Sequence, residues 1–344
     1  MNTSSLLSCN KIALRLFAAV LFSLKLSAQS TNDAPPAWAY AMAAPDYKAP
    51  TDTGELRHVT GSSAAWTLTQ LRDLFYAPDW HPEEHVAMPP VVARGRKPNV
   101  YACGFCHRAE GTGGPENSNI AGLPAAYIVQ QMAAFKSGAR KSSLPDRAPV
   151  KLMADLAKSA TDAEVAEAAA YFSAIKPRKL ITVIEAKDVP KNYVAAWVYS
   201  PTAEAETSHA TEPLAGRILE MPKNLEQFES RDTRSEFIAY VPPGSLAAGK
   251  RLATTGSNGK TLPCAQCHGK DLRGVASGTK SGMSGMENVP GIAGRSPSYL
   301  FRQLYDMKHG LRTGPTANLM KPVVANLSID DFTALSAYAA SLNP

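Results

Sequence analysis

This chain has few cysteines, a small net charge and no long apolar run. It has only 5 cysteines in 344 residues, and four of them fall in two short motifs, with Cys9 alone near the N-terminus. The apolar run Leu16 to Leu24 has nine residues, which is too short to span a bilayer. With 44% hydrophobic and 19% charged residues, the composition is that of an ordinary globular protein. The length predicts two or three domains.

The small excess of positive charge belongs mostly to the N-terminus. Residues 1–28 contain Lys11, Arg15 and Lys25 but no acid, so the formal charge falls from +6 to +3 without them. A charged start followed by a short apolar run predicts a secretory signal peptide with cleavage after Ala28. An uncleaved anchor is the alternative. The remaining charge gives no reason to expect a nucleic-acid partner.

One pentapeptide pattern occurs twice, as Cys103-Gly104-Phe105-Cys106-His107 and as Cys264-Ala265-Gln266-Cys267-His268. Two thiols three positions apart lie on one helical turn, where each can add to a haem vinyl group, and the histidine that follows can bind the iron. The pattern predicts two covalent haem c groups, attached at the four cysteines and ligated by His107 and His268. Export fits this chemistry, because no other cysteine would remain.

Two other readings of the cysteines are weaker. The pairs are 161 residues apart, whereas the pairs of a structural zinc site normally lie within about 20 residues. A redox dithiol needs one pair only and would not explain the histidine that follows each time.

The second motif lies in a repeat of the first. Ile292-Ala293-Gly294 follows Ile120-Ala121-Gly122 at an offset of 172, and the same offset relates further pairs: Tyr299 to Tyr127, Gln303 to Gln131, Gly310 to Gly138 and Arg312 to Arg140. The prediction is a mainly α protein divided into 1–28 (signal peptide), 29–90 (N-terminal extension), 91–177 (haem domain 1), 178–243 (β-rich connector) and 244–344 (haem domain 2).

Local signals place elements within these segments. A helix from Ala125 to Ser137 ends at Gly138, and capping boxes at Thr161 and Ser328 each start a closing helix. A short helix is expected over Thr67–Tyr76. Further expectations are strands at Leu180–Glu185, Tyr193–Tyr199, Arg217–Glu220 and Phe237–Val241, a turn at Asp188–Pro190, and exposure of His81, His85 and His209 in loops.

Two methionines are the predicted sixth ligands. Met153 lies eight residues before Thr161, and Met320 lies eight residues before Ser328, each on an expected loop before the closing helix. A thioether ligand stabilises Fe(II) and suits an electron-transfer haem. Other candidates, chiefly for packing, are Met132, Met283, Met286 and Met307.

Residues around the expected ligands repeat as well. The carbonyl of Pro290 is expected to accept a hydrogen bond from Nδ1 of His268, and Ser118 stands at the equivalent position in the first domain. Tyr127, Tyr299, Arg140 and Arg312 are candidates for hydrogen bonds to haem propionates, although helix packing explains the tyrosines equally well.

The order Cys-x-x-Cys-His, Pro-Gly-Ile-Ala-Gly, Tyr-x-x-x-Gln-Leu, Gly-x-Arg and Met-x-Pro resembles the tandem dihaem type of class I cytochromes c. The resemblance covers about residues 91–177 and 244–344. It implies two small helical domains, each around one His/Met-ligated haem, in a periplasmic carrier of single electrons. Implied partners are a membrane dehydrogenase, the cytochrome bc complex, an oxidase or a quinoprotein dehydrogenase, and attachment to a membrane through such a complex stays open. The extension and the long connector depart from the family pattern.

An enzyme is the alternative function. A dihaem peroxidase or thiol-oxidising enzyme would keep one iron open to substrate, and no catalytic residue is assigned in the carrier reading. Methionine at both sites favours the carrier.

Overall fold

Proline- and glycine-rich connections carry the chain between short helices and strands. The computed structural model describes residues 34–275 and 288–344. The predicted signal peptide, 1–28, and two of the candidate methionines, Met283 and Met286, lie outside these residues. Within the described part, no helix is long and apolar enough to cross a bilayer.

The N-terminal extension is mostly irregular. It contains two 3-10 turns, Ala37–Tyr40 and Pro82–Glu84, and one short helix, α1 (Leu68–Leu71). The helix predicted over Thr67–Tyr76 is therefore much shorter than expected. Its capping box at Thr67 forms, but the side chain of Asp73 accepts a hydrogen bond from the Phe75 amide at 2.9 Å. Such a local side-chain contact competes with helix continuation.

Aromatic side chains attach this extension to the C-terminal part of the chain. Trp38 packs on Phe301 with ring centroids 4.5 Å apart, and the buried Tyr40 packs edge-on against Tyr305 at 6.5 Å. The Tyr40 hydroxyl also donates to Asp306 at 3.2 Å. The extension therefore packs against the C-terminal part through its aromatic residues.

The first helical part (residues 90–174) consists of five helices: α2 (Pro90–Ala93), α3 (Cys103–His107), α4 (Ala125–Ser137), α5 (Ala148–Ser159) and α6 (Asp162–Ala174). Helix α4 ends at Gly138, whose φ of 76° lies in the left-handed region that favours glycine. The capping box of α6 is formed, with Thr161 and Glu164 bonding each other's backbone amides. Helix α4 has the predicted bounds, and α6 begins at the predicted capping box.

The middle of the chain, residues 178–243, forms small sheets with two short helices: β1 (Ile181–Glu185), β2 (Asp188–Pro190), β3 (Asn192–Ala195), β4 (Val198–Pro201), α7 (Ala203–Ser208), β5 (Thr211–Pro213), β6 (Leu219–Pro222), α8 (Leu225–Glu229) and β7 (Phe237–Val241). Strand β7 pairs in parallel with β1 and antiparallel with β6. The other two pairs, β2 with β5 and β3 with β4, are antiparallel.

Two predictions for this segment are wrong in detail. The expected turn at Asp188–Pro190 is strand β2, because Val189 is buried and the backbone pairs with β5. The expected single strand at Tyr193–Tyr199 is the hairpin of β3 and β4, since Ala196 turns the chain with a φ of 51°. His209 is exposed, as predicted.

The second helical part (residues 245–341) contains α9 (Ser245–Gly259), α10 (Cys264–His268), α11 (Pro297–Lys308), a 3-10 turn at Ala317–Met320, α12 (Lys321–Val324) and α13 (Ile329–Ser341). Helices α9 and α13 cross very closely at Gly249. A Cβ atom there would lie 2.0 Å from the carbonyl oxygen of Ala334, so the crossing requires glycine. The capping box of α13 forms at Ser328, as predicted.

Each helical part has its own hydrophobic core. Val92, Val100 and Phe172 are fully or almost fully buried in the first. The second, with Phe301 and Phe332, also includes Tyr40 of the extension. The two motif helices, α3 and α10, lie beside these separate cores.

Candidate haem-binding sites

Helices α3 and α10 present the same chemical groups. On each, two cysteines three positions apart share one face, and the histidine is the last residue of the helix. The chain then leaves with a positive φ, 65° at Arg108 and 82° at Gly269. None of the four thiols forms a disulfide. Burial raises the pKa of Cys103 to about 12 and that of Cys264 to about 11.

Both motif histidines are held in one orientation by a backbone carbonyl. Nδ1 of His107 donates to the Ser118 oxygen and Nδ1 of His268 to the Pro290 oxygen, each at 2.8 Å. The predicted bond to Pro290 is confirmed, and Ser118 has the equivalent role. Burial lowers the pKa of both imidazoles, which favours the neutral ring. Within residues 34–275 and 288–344 neither Nε2 atom has a hydrogen-bond partner, so both lone pairs are available to a metal.

A large cavity opens beside α3. Its empty space, counted with the solvent at its mouth, is about 1490 Å³. Its walls are mainly apolar, and Cys103, Cys106, His107 and Met153 all line it. Two thiols, an imidazole and a thioether around one apolar cavity are the groups that covalent haem c requires. The residues present therefore fit this cofactor.

The candidate sixth ligands lie in helical segments, so the prediction that they lie on loops is wrong. Met153 is part of α5, which starts with Pro149 in its first turn, and Met320 ends the 3-10 turn Ala317–Met320. Met153 lines the cavity beside α3, but Met132 of α4 lines it too. In the second part, Met320, Met307 and Cys264 all pack against the same core.

Two histidines predicted to be exposed instead have buried side chains that contact carboxylates. His81 is 1% exposed, and its Nε2 lies 3.1 Å from Oδ1 of Asp232. Nε2 of His85 lies 3.1 Å from Oδ1 of Asp79, and its other ring nitrogen contacts the hydroxyl of Tyr171. Neither histidine lines the cavity beside α3. Both are engaged in holding the extension in place.

The repeated arginines and tyrosines meet across the two helical parts. Arg140 donates to the hydroxyl of Tyr299 at 2.7 Å and to Gln303 at 2.9 Å. In the reverse direction, Arg312 donates to the hydroxyl of Tyr127 at 2.8 Å. Proximity of both guanidinium groups lowers the pKa of Tyr299 although burial acts to raise it. The repeat thus encodes a reciprocal contact, which the sequence alone did not reveal.

The two motif helices differ in how far the surrounding protein buries them. Gly104 and Phe105 of α3 are buried, and the guanidinium of Arg231 lies over the Phe105 ring at 3.6 Å from its centroid. The same guanidinium donates to the Phe105 carbonyl at 3.1 Å. On α10 the equivalent residue, Gln266, is exposed. The middle segment therefore covers α3 at the position where, among the described residues, α10 exposes Gln266.

Among the described residues, no group of three or more histidine, cysteine, aspartate or glutamate side chains is placed to hold a metal ion. The two cysteine pairs are thus not assembled into a zinc centre. The chemistry that the sites support is the covalent attachment of a haem at each motif.

Comparison with known proteins gives a consistent result. The family model described as Cytochrome c matches residues 92–176. The chain is 32% identical over 78 residues to cytochrome c-554(548) of Halomonas halodenitrificans, which covers 23% of this chain and 82% of that protein. This chain belongs to the cytochrome c family.

Longer matches are found with two further proteins. The thiosulfate dehydrogenase electron acceptor of Thiomonas intermedia is 26% identical over 248 residues, covering 71% of this chain and 80% of that protein. Cytochrome c4 of Pseudomonas aeruginosa is 22% identical over 244 residues, covering 70% and 84%. The resemblance to tandem class I cytochromes c is confirmed. The protein carries covalently bound haem c with its iron, and two haems fit these relatives.

Proposed function

We propose that this protein is a periplasmic dihaem cytochrome c that carries single electrons between redox proteins. The division into 29–90, 91–177, 178–243 and 244–344 would then give two haem domains joined by a structured connector. Cys103 and Cys106 would attach one haem and Cys264 and Cys267 the other. His107 with Met153, and His268 with Met320, would ligate the two irons.

The observation that carries this proposal is the hydrogen bonding of the two motif histidines, each to its own backbone carbonyl. Each donates from Nδ1 to a carbonyl oxygen at 2.8 Å. Among the residues that the structure describes, Nε2 of each has no hydrogen-bond partner, so each is ready to bind iron. A methionine packs in the same region of each part. Haem with histidine and methionine ligands has no open position for substrate, and this favours electron transfer over catalysis.

The visible spectrum of the oxidised holoprotein tests the ligands. Methionine bound to ferric haem gives a weak charge-transfer band at the red end of the spectrum, and we expect its intensity to correspond to two haems. Met153→Leu and Met320→Leu should each remove half of it. The controls Met132→Leu and Met307→Leu make the same change in side-chain volume at neighbouring positions, and they should leave the band unchanged.

Two outcomes would contradict these assignments. Loss of the band in Met132→Leu and not in Met153→Leu would move the first ligand to α4. Half intensity with a high-spin signature in the unmodified protein would mean that one iron is open, which favours the alternative of a dihaem peroxidase or thiol-oxidising enzyme.

A dehydrogenase is the proposed electron donor. Support comes from the name of the Thiomonas intermedia relative, an electron acceptor of thiosulfate dehydrogenase. The experiment mixes oxidised protein with thiosulfate and a purified thiosulfate dehydrogenase and follows haem reduction by stopped flow. Reduction that needs both components supports the assignment, and reduction by thiosulfate alone would indicate an enzyme. If the haems are not reduced either with thiosulfate alone or with thiosulfate and the dehydrogenase, another dehydrogenase, a cytochrome bc complex or an oxidase becomes the partner to test.

Export explains how the haems are attached. The predicted signal peptide, 1–28, would deliver a chain whose remaining cysteines all lie in the two motifs. N-terminal sequencing of the protein from a periplasmic extract should begin at Gln29. An intact N-terminus in the membrane fraction would instead indicate the anchor.

A further inference from the structure

One histidine of the N-terminal extension is buried against the first helical part. The side chain of His85 is only 2% exposed, and it does not line the cavity beside α3. Its ring instead meets Tyr171 of α6 edge-on, with ring centroids 6.2 Å apart. The extension thus adds an ionisable ring to the surroundings of the first motif.

Both ring nitrogens of His85 lie against oxygen atoms that accept hydrogen bonds. Nε2 is 3.1 Å from Oδ1 of Asp79, and Nδ1 is 2.8 Å from the carbonyl oxygen of Val86. A neutral imidazole has a single N–H group and would leave one of these contacts without a proton. The hydrogen bond to Asp79 raises the pKa of His85, although burial acts to lower it. The arrangement therefore favours the imidazolium, in which both nitrogens donate.

The side chain of Tyr171 connects this ring to the first motif. Its hydroxyl donates to the carbonyl oxygen of Ala109 at 2.8 Å, so its oxygen is left to accept from Nδ1 of His85 at 3.0 Å. Ala109 is two residues beyond His107. In addition, the Tyr171 ring packs edge-on against Phe172 at 5.1 Å, and Phe172 packs edge-on against His107 at 6.3 Å. One tyrosine and one phenylalanine thus separate His85 from the motif histidine.

The residues between the two histidines are buried. The exposed fractions of Ala109, Tyr171 and Phe172 are 1%, 6% and 1%. Electrostatic interactions are screened much less in such surroundings than at a surface. Asp79 and the other charges near His85 set its affinity for the proton, but each proton gained or lost changes the local charge by one whole unit. The protonation state of His85 therefore acts on the first motif.

The other charged groups around His85 surround a second cavity. They line it together with the imidazole: Glu84, Glu110, Lys176 and Arg178. Arg178 donates to both carboxylates, to Glu84 at 2.7 Å and to Glu110 at 2.8 Å. Because the side chains of Glu84 and Arg178 are 27% and 30% exposed, the cavity reaches the solvent. It gives the buried imidazole a route for the exchange of its proton.

The second helical part has a different residue at the equivalent position. Tyr338 repeats Tyr171 at the offset of 167 between the capping boxes. The offset of 161 between the two motifs, however, places Leu246 opposite His85. The ionisable ring belongs to the first site alone, so the second haem serves as an internal reference.

We infer that His85 tunes the haem at α3, because its protonated ring raises the reduction potential of that haem and loss of the proton lowers it. The inference rests on the proposed carrier function, with a haem attached at Cys103 and Cys106. One electron from the donor converts Fe(III) to Fe(II), and no covalent bond to the haem forms or breaks. A cation nearby disfavours Fe(III), which is the more positive state. Reduction in turn strengthens the binding of the proton, which comes from solvent, so electron uptake is coupled to partial proton uptake.

A spectroelectrochemical titration of the holoprotein, repeated from about pH 5 to 9, tests the inference. Met320→His replaces a thioether by an imidazole and lowers the potential of the second haem, which identifies its component in the two-component curve. The other component should fall as the pH rises, with a midpoint above the ordinary histidine value of 6.5. We expect a change of roughly threefold in its one-electron equilibrium constant, equivalent to about 28 mV.

Three variants assign the effect to His85. His85→Gln keeps a hydrogen-bond donor but stays neutral, so the first component should lose this pH dependence and remain near its alkaline value. Asp79→Asn removes the carboxylate that stabilises the imidazolium and should move the midpoint to lower pH. The control His209→Gln replaces an exposed histidine of the middle segment and should change neither component. Haem content is measured for every variant, and where His85→Gln does not fold, Asp79→Asn provides the comparison.

Nuclear magnetic resonance of the histidine rings gives a readout that does not depend on electron transfer. The signal of His85 is assigned by its absence in His85→Gln. It should titrate in the fully reduced and in the fully oxidised protein with acid dissociation constants that differ by the same factor of about three, because the coupling is reciprocal. A role of His85 in packing alone would leave the two constants equal.

The failures can be told apart. If Met320→His moves neither component, the proposed ligand of the second iron is wrong, and the pH series of His85→Gln still shows whether His85 tunes either haem. If the pH dependence persists in His85→Gln, or if the ring has the same dissociation constant in both redox states, the inference is refuted while the carrier function stands. An equal effect of His209→Gln would also refute it, because the cause would then be general charge.

Discussion

Arg140 of the first helical part donates to the hydroxyl of Tyr299 of the second at 2.7 Å. The exchange is reciprocal, since Arg312 and Tyr127 form the same contact at 2.8 Å. Between them, the backbones of Arg140 and Arg312 pair as an antiparallel bridge. Because each half supplies a donor and an acceptor to the other, one arrangement of the two parts satisfies both sets of groups.

Loss of this exchange should weaken the contact between the parts. Arg140→Met removes hydrogen bonds to Tyr299 and Gln303. The Tyr299 hydroxyl loses its guanidinium donor, whereas Oε1 of Gln303 keeps the hydrogen bond from Arg312. We expect the free energy of unfolding to fall by about 2 kcal/mol. Urea unfolding of the holoprotein, followed by circular dichroism, measures the change.

A double-mutant cycle shows whether the loss comes from this contact. Tyr299→Phe should cost less in the Arg140→Met background than in the unmodified protein, because the partner is already absent. Lys136→Met removes a cation that is 51% exposed and should change stability by less than about 0.5 kcal/mol. Simple additivity of the two changes would contradict a direct contribution from the pair.

The crossing of α9 and α13 should not tolerate one extra methyl group. Gly249→Ala would place its Cβ 2.0 Å from the Ala334 carbonyl and 2.6 Å from Cβ of Tyr338. We expect the helices to separate at a cost of about 3 kcal/mol, measured as a lower midpoint in thermal unfolding. Lys250→Ala, at the exposed next position of α9, is the control. An unchanged midpoint in Gly249→Ala would show that the crossing adjusts freely.

Elements with local signals could be predicted from the sequence. The end of α4 follows from a left-handed glycine, and the starts of α6 and α13 follow from two capping boxes. The motif helices and the carbonyl of Pro290 were also found, because the chemistry of haem attachment restricts the residues near each motif.

Long-range relations were beyond the reach of the same reasoning. His81 is buried because Asp232, 151 residues later, pairs with it. Strand β1 pairs with β7 and not with a neighbour in sequence, and nothing in either run specifies that partner.

An ion-pair network between the extension and the middle segment should make stability depend on pH. The carboxylate of Glu84 accepts a hydrogen bond from Arg178 at 2.7 Å and others from Arg234, including one from its Nε at 3.1 Å. The hydrogen bond from Arg234 and then that from Arg178 lower the pKa of Glu84 to about 2. Its carboxylate is thus more stable in the folded chain than in the unfolded one.

The sign of the effect follows from this difference. An unfolded glutamate has a pKa of about 4.3, so the contribution of Glu84 is complete above that pH and disappears as the pH falls to about 2. Glu84→Gln should lower the free energy of unfolding by about 1–2 kcal/mol at neutral pH, because its side chain is only partly exposed. Between pH 5 and 2.5 (roughly the window of this titration), the difference in free energy of unfolding between the variant and the unmodified protein should fall to zero.

Urea unfolding at a series of pH values measures that gap, and the comparison between variants cancels any titration elsewhere in the protein. Glu83→Gln is the matched control, since Glu83 is 63% exposed and lies 3.7 Å from Arg234. We expect it to change stability by less than about 0.5 kcal/mol at any pH. The difference in free energy of unfolding between Glu84→Gln and the unmodified protein could instead stay constant down to the lowest pH. The loss would then come from side-chain packing and not from the ionised carboxylate.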